Sequence, residues 1–394
     1  MNLLALKQKY RTTWSPLNNQ SFNENYPHFR LIAITPPLLI DLTIFIHYLR
    51  LRTKINTGHL HMKKFCILLF SLLLTTQLYG QGTLEKIQVH SPSLEGNLTG
   101  DSPDRDVFVY LPPGYFSSDK QYPVIIYLHG YAVGASVYVE RVLNMPASVD
   151  TAMSEGTEEF ILVMPDAFNK YGGSMYSNSP TIGDWESWIA KDLVSYIDSN
   201  YRTIGTRESR GLSGHSMGGY GTLRIGMKYP EVFAALYAMS SCCLLNNAPA
   251  QEAVEAQVTR MTEGFEGYQS GTFANAMQAQ ASAWAPNPDN PPYYFDFPYR
   301  DGEEQPLVSR KWTANSPLIF VDQYVPALSQ YRAITLDVGD EDGLEATNTQ
   351  MSAALERLDI DHGYEIYTGN HGNRVGQRFI DNVLPFFAEH LDRE

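Results

Sequence analysis

Only three cysteines occur in 394 residues (Cys66, Cys242 and Cys243), too few for a disulfide framework and in no Cys/His spacing that resembles a zinc site. Basic charge is scarce as well. Formal net charge is −14, and residues 1–80 hold nine Lys or Arg against two Asp or Glu, which leaves residues 81–394 at −21. A body this acidic repels phosphate backbones, which argues against nucleic-acid binding. No internal repeat and no low-complexity tract is present, and no apolar run is long and clean enough to span a bilayer. What remains is ordinary globular composition, 43% hydrophobic and 18% charged, with 25 Tyr to fill a core or line a binding surface.

The charge asymmetry separates the first eighty residues from the rest. From Met62 the chain reads MKKFCILLFSLLLTTQLYGQG: two lysines, an apolar run from Phe65 to Leu74, then small and polar residues to Gly82. That is the three-part pattern of a secretory signal peptide over 62–81, with cleavage expected in Tyr79–Gly82 and a secreted or periplasmic product. Cys66 lies inside the apolar run with no small-residue motif before it, so a lipoprotein anchor is not expected. Residues 1–61 show no sustained periodicity, and their one apolar stretch, Leu38 to Leu49, is broken by Asp41 and His47. They read as upstream sequence translated from a wrong start, the alternative being a cytoplasmic or anchoring extension.

Residues 82–394 alternate apolar, β-branched runs with helical patterns. Strands are predicted at Val107–Leu111, Val124–Leu128, Phe160–Met164, Gly211–Ser213, Ala234–Met239, Ile334–Val338 and Tyr364–Tyr367; helices at Asp184–Asn200, Gly218–Lys228, Glu345–Leu358 and Val375–His390. Alternation of this kind predicts an α/β fold: a mostly parallel sheet with helices on both faces. The stretch between Ser241 and Ala333 breaks the rhythm with an Ala/Gln-rich part (Ala248–Ala285) and a Pro/Tyr/Asp-rich part (Pro286–Gly302). It is too long for an ordinary connection and predicts a lid or cap over about 245–315.

The strongest motif is Gly214-His215-Ser216-Met217-Gly218, a G-x-S-x-G between a short strand and a helix. A nucleophilic serine must project from a strained strand-to-helix turn, and small residues at 214 and 218 let backbone pass that closely. The helix N-terminus behind it supplies N–H dipoles for a developing oxyanion. The bland alternative is a Gly-rich turn carrying a solvated serine. A serine hydroxyl needs a base, and in this kind of fold the chain order is Ser, acid, His. Of the three later histidines, His362 enters a strand, His390 ends the last helix, and His371 follows the C-terminal end of a strand, where sites gather in open α/β sheets. His371 is the expected base. For the acid, the stretch Asp337-Val338-Gly339-Asp340-Glu341-Asp342 leaves Asp340 and Asp342 open on spacing alone. The loop His129-Gly130-Tyr131 puts the backbone N–H groups of Tyr131 and Met217 forward as the oxyanion pair, with His129 as a loop anchor.

With those pieces in view, the sequence resembles the esterase D-like branch of the α/β hydrolases, which includes feruloyl and acetylxylan esterases, S-formylglutathione hydrolases and mycolyltransferases. The resemblance rests on Val109-Tyr110-Leu111-Pro112-Pro113-Gly114-Tyr115, Tyr122–Gly130, Tyr176-Ser177-Asn178-Ser179, Gly183-Asp184-Trp185-Glu186, Tyr201-Arg202-Thr203-Ile204 and Gly214–Gly219, and covers about 104–242 with the late loops. It implies an α/β-hydrolase fold and a Ser-His-Asp esterase needing neither metal nor cofactor. The family's D-x-G-x-x-D acid loop, here Asp337 to Asp342, implies Asp342 as the acid. The leader and the Ser-Asn-Ser and Gly-Asp-Trp-Glu pieces resemble the feruloyl esterase side, so the expected substrate is a small or polysaccharide-linked ester. Acyl transfer to sugars, S-formylglutathione-type thioester hydrolysis and a non-catalytic glycan-binding module are the competing readings. Trp185 and His215 are candidate substrate contacts, Trp185 having helix-face core as its alternative. Oligomeric state is not readable.

Overall fold

A computed structural model of the protein describes residues 80–261 and 275–393. The expected upstream extension (1–61) and the expected signal peptide as far as Tyr79, Cys66 included, lie outside the described residues.

Eight strands form one sheet: β1 (Thr83–His90), β2 (Asp104–Leu111), β3 (Val124–Leu128), β4 (Ile161–Pro165), β5 (Arg210–His215), β6 (Ala235–Met239), β7 (Ala333–Gly339) and β8 (Gly363–Tyr367). Their order is β1-β2-β4-β3-β5-β6-β7-β8. β2 is antiparallel to both β1 and β4, and every other pairing is parallel. This is the α/β-hydrolase arrangement. β3 shows why it forms. All five residues are buried; Val124, Ile126 and Leu128 join the core on one face, Ile125 and Tyr127 the core on the other. Period-two alternation with apolar residues on both sides is what a central strand covered twice requires.

The strand Thr83–His90 is one the pattern reading does not predict. It lies at the sheet edge with mostly exposed or half-buried side chains, and Lys86 pairs with Asp106 of β2 at 2.7 Å. An edge strand hydrogen-bonded on one side needs no apolar run, so it leaves only a weak mark in sequence.

Helices cover the two faces. On the face of Ile126 lie a helix over 185–200 (α1), Met217–Lys228 (α2) and Glu345–Arg357 (α3); on the face of Tyr127 lie residues 135–154 and a helix over 375–390 (α4). The Asp184 side chain caps α1 by accepting from the Ser187 N–H at 3.0 Å. Between β6 and β7 the described residues of the predicted Ala/Gln-rich helical part include the helices Gln251–Met261 and Ala276–Trp284, and a small hairpin (Tyr299–Arg300 with Glu303–Glu304) and the helix Pro306–Ala314 come after them. This insertion is pinned to the core of the fold: the Tyr220 hydroxyl of α2 donates to Asn315 O at 2.9 Å, and the Tyr220 ring packs against Trp284 at 5.9 Å. Among the described residues no helix is long and apolar enough to cross a membrane.

Candidate active site

The chain leaves β5, turns sharply at Ser216 and enters α2 at Met217. Ser216 has φ 60° and ψ −113°, a conformation an L-residue holds only when its surroundings enforce it. The two motif glycines explain how. A Cβ on Gly218 would lie 1.9 Å from Leu128 O of the neighbouring strand, and one on Gly214 would lie 2.6 Å from the Gly218 carbonyl carbon. Backbone therefore passes where any side chain would sit, and the serine is pushed outward. Its own N–H donates to Met239 O at 2.9 Å, and its carbonyl accepts from Tyr220 N and Cys242 N.

Two further loops complete the crevice. After β7 and β8 the backbones run in contact: a Cβ on Gly339 would come 2.2 Å from Gly369 O, Asp340 N donates to Tyr367 O, and Glu341 N donates to Gly369 O. Asp340 spends its carboxylate on this zipper, accepting from Gly369 N at 3.0 Å, while Asp342 turns inward. His371 Nδ1 lies 2.8 Å from Asp342 Oδ2, and His371 Nε2 lies 2.9 Å from Ser216 Oγ. The structure thus brings Ser216, His371 and Asp342 into one chain of hydrogen bonds from positions 155 and 29 residues apart. With Nδ1–H donating to the carboxylate, Nε2 is left to accept the serine proton. Burial works to raise the Asp342 carboxyl, but the bonds from His371 and from Leu344 N at 3.0 Å outweigh it and hold it below the usual carboxylate range.

Met217 is the first residue of α2, so its N–H points out of the helix end instead of into the ladder. Tyr131 comes from the loop after β3 and donates its hydroxyl to Tyr171 O at 2.9 Å. Gly173 presses against both: a Cβ there would lie 2.7 Å from Met217 Sδ and from Tyr131 Cδ2. His129 is buried, donates to Gly130 O and accepts from Ala167 N, each at 2.8 Å, which ties this loop down. Among the described residues no group of three or more His, Cys, Asp or Glu is placed to hold a metal ion.

Two expected substrate contacts are corrected. Trp185 is fully buried and its indole N–H donates to Ile182 O at 2.8 Å, so it is core. Helical spacing points equally to a core face, and the core face is what forms. His215 is also buried, with both ring nitrogens engaged by protein: the Tyr138 hydroxyl reaches Nδ1 at 2.8 Å, and Nε2 donates to the backbone carbonyl of His371 at 2.8 Å. Burial, then the neighbouring His371, pushes it down to about 3, so it stays neutral. Side chains alternate across a strand, and with Ser216 turned outward His215 faces inward beneath the His371 loop. Sequence reading gave no sign of Tyr138, 77 residues away.

Residues 102–378 match the Esterase family model. Among curated proteins, Esterase Rv1288 of Mycobacterium tuberculosis is 32% identical over 133 residues, a stretch that covers 33% of this chain and 27% of that protein. An endo-1,4-beta-xylanase/feruloyl esterase of Xylanibacter ruminicola is 28% identical over 139 residues, covering 32% of this chain and 18% of its own. The chain therefore matches under a third of the length of either relative. Among solved structures, a ferulic acid esterase superposes with TM-score 0.57 at 22% identity, covering 79% of this chain and 99% of that one. The S-formylglutathione hydrolase FrmB of Staphylococcus aureus superposes with TM-score 0.53 at 16% identity, covering 79% and 100%. At such identities the likeness is one of fold.

Proposed function

We propose that this chain, which belongs to the Esterase family, is a carboxylic ester hydrolase that cleaves esters through a covalent acyl-enzyme on Ser216. The observation that carries the reading is the unbroken run of hydrogen bonds Ser216 Oγ–His371–Asp342, at 2.9 and 2.8 Å. His371 Nε2 takes the hydroxyl proton as Ser216 Oγ attacks the ester carbonyl carbon. Asp342 fixes the tautomer through Nδ1 and stabilises the imidazolium. The N–H groups of Met217 and Tyr131 receive the oxyanion. His371 then protonates the departing alcohol, and a water deprotonated at the same nitrogen releases the acid and restores the serine. The described residues of this path are held by packed backbone, so little has to move as charge develops.

As substrate we favour aromatic or acetyl esters carried on plant-type polysaccharides. The xylanase/feruloyl esterase relative and the ferulic acid esterase neighbour support this choice by their names. The run Lys63-Lys64-Phe65 to Gly82 supports export of the enzyme, with a mature N-terminus in Tyr79–Gly82.

The test has two parts. A fluorophosphonate probe should label the protein at Ser216 and abolish hydrolysis of nitrophenyl acetate; labelling elsewhere, or none, ends the acyl-enzyme reading. A panel of methyl ferulate, acetylated xylan and S-formylglutathione, with and without added sugar acceptors, then assigns the substrate. Preference for the thioester, or acyl-sugar products in place of free acid, would overturn the polysaccharide-ester hydrolase assignment.

A further inference from the structure

The loop after β6 carries two adjacent thiols that the acyl-enzyme cycle does not use. Cys242 donates its S–H to Cys243 Sγ across 2.8 Å, and Gln280 Nε2, from the insertion, reaches Cys243 Sγ at 3.5 Å. Both residues are half-buried. Cys242 is also part of the frame of the nucleophile: its N–H donates to Ser216 O at 3.1 Å, while Ser216 N donates to Met239 O three residues earlier. The same segment presses on the start of α2, where a Cβ on Gly219 would lie 2.6 Å from Ser241 Oγ and 2.8 Å from Met239 O. Anything that shifts residues 242–243 is transmitted to Ser216.

We propose that Cys242 and Cys243 form a dithiol site that closes reversibly to a vicinal disulfide and slows ester hydrolysis while closed, the second half of which rests on the Ser216 reading above. The oxidant is a small-molecule disulfide, R–S–S–R. The hydrogen bond that Cys242 donates to Cys243, together with burial, pushes the Cys242 thiol up, and Cys243, the sulfur that accepts that bond, is the one that attacks. Attack on the disulfide expels one thiolate and leaves a mixed disulfide on Cys243. Cys242 then displaces the second thiolate. One protein S–S bond forms, one small-molecule S–S bond breaks, and two R–SH leave with the two protons and two electrons of the cysteines. Neighbouring Cα atoms are about 3.8 Å apart, against a span of roughly 4.4–6.8 Å in ordinary disulfides, so a bridge between them is strained and readily reduced. Closing it must bend the 242–243 backbone, and the Cys242 N–H bond to Ser216 is the first contact in the way.

The experiment treats the full-length protein with 4,4′-dithiodipyridine and follows mass and activity together. Trypsin releases residues 229–260 as one peptide with both thiols and not Cys66. The expected result is that peptide lighter by two hydrogens with no thiopyridyl adduct, and nitrophenyl acetate hydrolysis slowed about tenfold or more, as small misplacements in a site do, recovering with dithiothreitol. C243S should hydrolyse like the reduced wild type and lose the response. Stable thiopyridyl adducts on the peptide, or no reaction there, overturn the site; closure without slower hydrolysis overturns its control of activity. Fluorophosphonate labelling of the reduced protein separates these outcomes from failure of the Ser216 reading, because the mass change does not depend on catalysis.

Discussion

The crevice formed by the ends of β5, β7 and β8 and the insertion between β6 and β7 are built on different terms. In the crevice, backbone meets backbone at distances no side chain tolerates, at Gly218 against Leu128 O and at Gly339 against Gly369 O. Substituting either glycine requires the neighbouring backbone to move. In the insertion, Trp284 packs on Trp312 and Tyr220, and Phe295 on Phe297 and Tyr171, and all four insertion rings are buried. Many apolar combinations of similar volume would fill that space. Backbone packed against backbone leaves glycines and a motif behind; a segment held by apolar packing leaves only composition.

The sharpest way to break this contrast is at Ser216, the proposed nucleophile. S216A should lose about 10⁴- to 10⁶-fold in ester hydrolysis while melting near the wild-type temperature, because the removed oxygen is chemistry and not support. Activity retained in S216A would move the reaction elsewhere. Next in size, D342N should cost about 10²- to 10⁴-fold in kcat, since an amide facing His371 Nδ1 can favour the wrong tautomer. Fluorophosphonate labelling rates measure this directly, and an unchanged rate would leave Asp342 a structural partner only. In the insertion the balance reverses. W312A removes a side chain 2% exposed and should destabilise the protein by about 3–5 kcal/mol, read from denaturant unfolding, while the folded fraction still labels at Ser216. Collapse of labelling at unchanged stability would put the insertion inside the chemistry.

What the sequence made legible divides along the same line. The strand Val124–Leu128 and the helix starting near Gly218 come straight from period and punctuation, because a two-sided core and a glycine-framed turn admit few other sequences. The place of His371 beside Ser216 is legible from where its strand ends; the turn of Asp342 toward it is legible only through the resemblance, because Asp340 and Asp342 differ only in which way the loop turns them, and that is fixed by the Gly369 contacts from the loop after another strand. Trp185 and His215 were misread for a related reason. Spacing shows that a side chain shares a face with its neighbours, not whether that face meets solvent or core, and in both cases it meets core. Tyr138 had no local signature at all, since its hydroxyl matters only through a histidine from another element.

That contact supplies a smaller test within the crevice. Tyr138 holds His215, and His215 holds the carbonyl of His371. Y138F leaves a buried ring nitrogen without its donor, which should cost about 1–3 kcal/mol of stability and lower kcat by several-fold as the His371 loop loosens. If melting shifts and kcat does not, the two rings are packing alone and the crevice is less interlocked than its distances indicate.

The smallest effect concerns acid. Asp342 releases its proton more readily folded than unfolded, so folding favours its ionised form. That contribution is complete above the unfolded carboxyl value of about 3.9 and drains away as pH falls through the lower folded value. Wild-type stability should therefore fall more steeply on the acid side than that of D342N, by at most one proton of slope, measured as denaturant midpoints from about pH 5 downward. The insertion supplies the control: W312A lowers every midpoint and leaves the slope alone, because indole takes up no proton in this range. Parallel acid limbs for wild type and D342N would mean that the bonds from His371 and Leu344 do not favour the charged carboxylate, and that the order seen in the crevice is steric without being electrostatic.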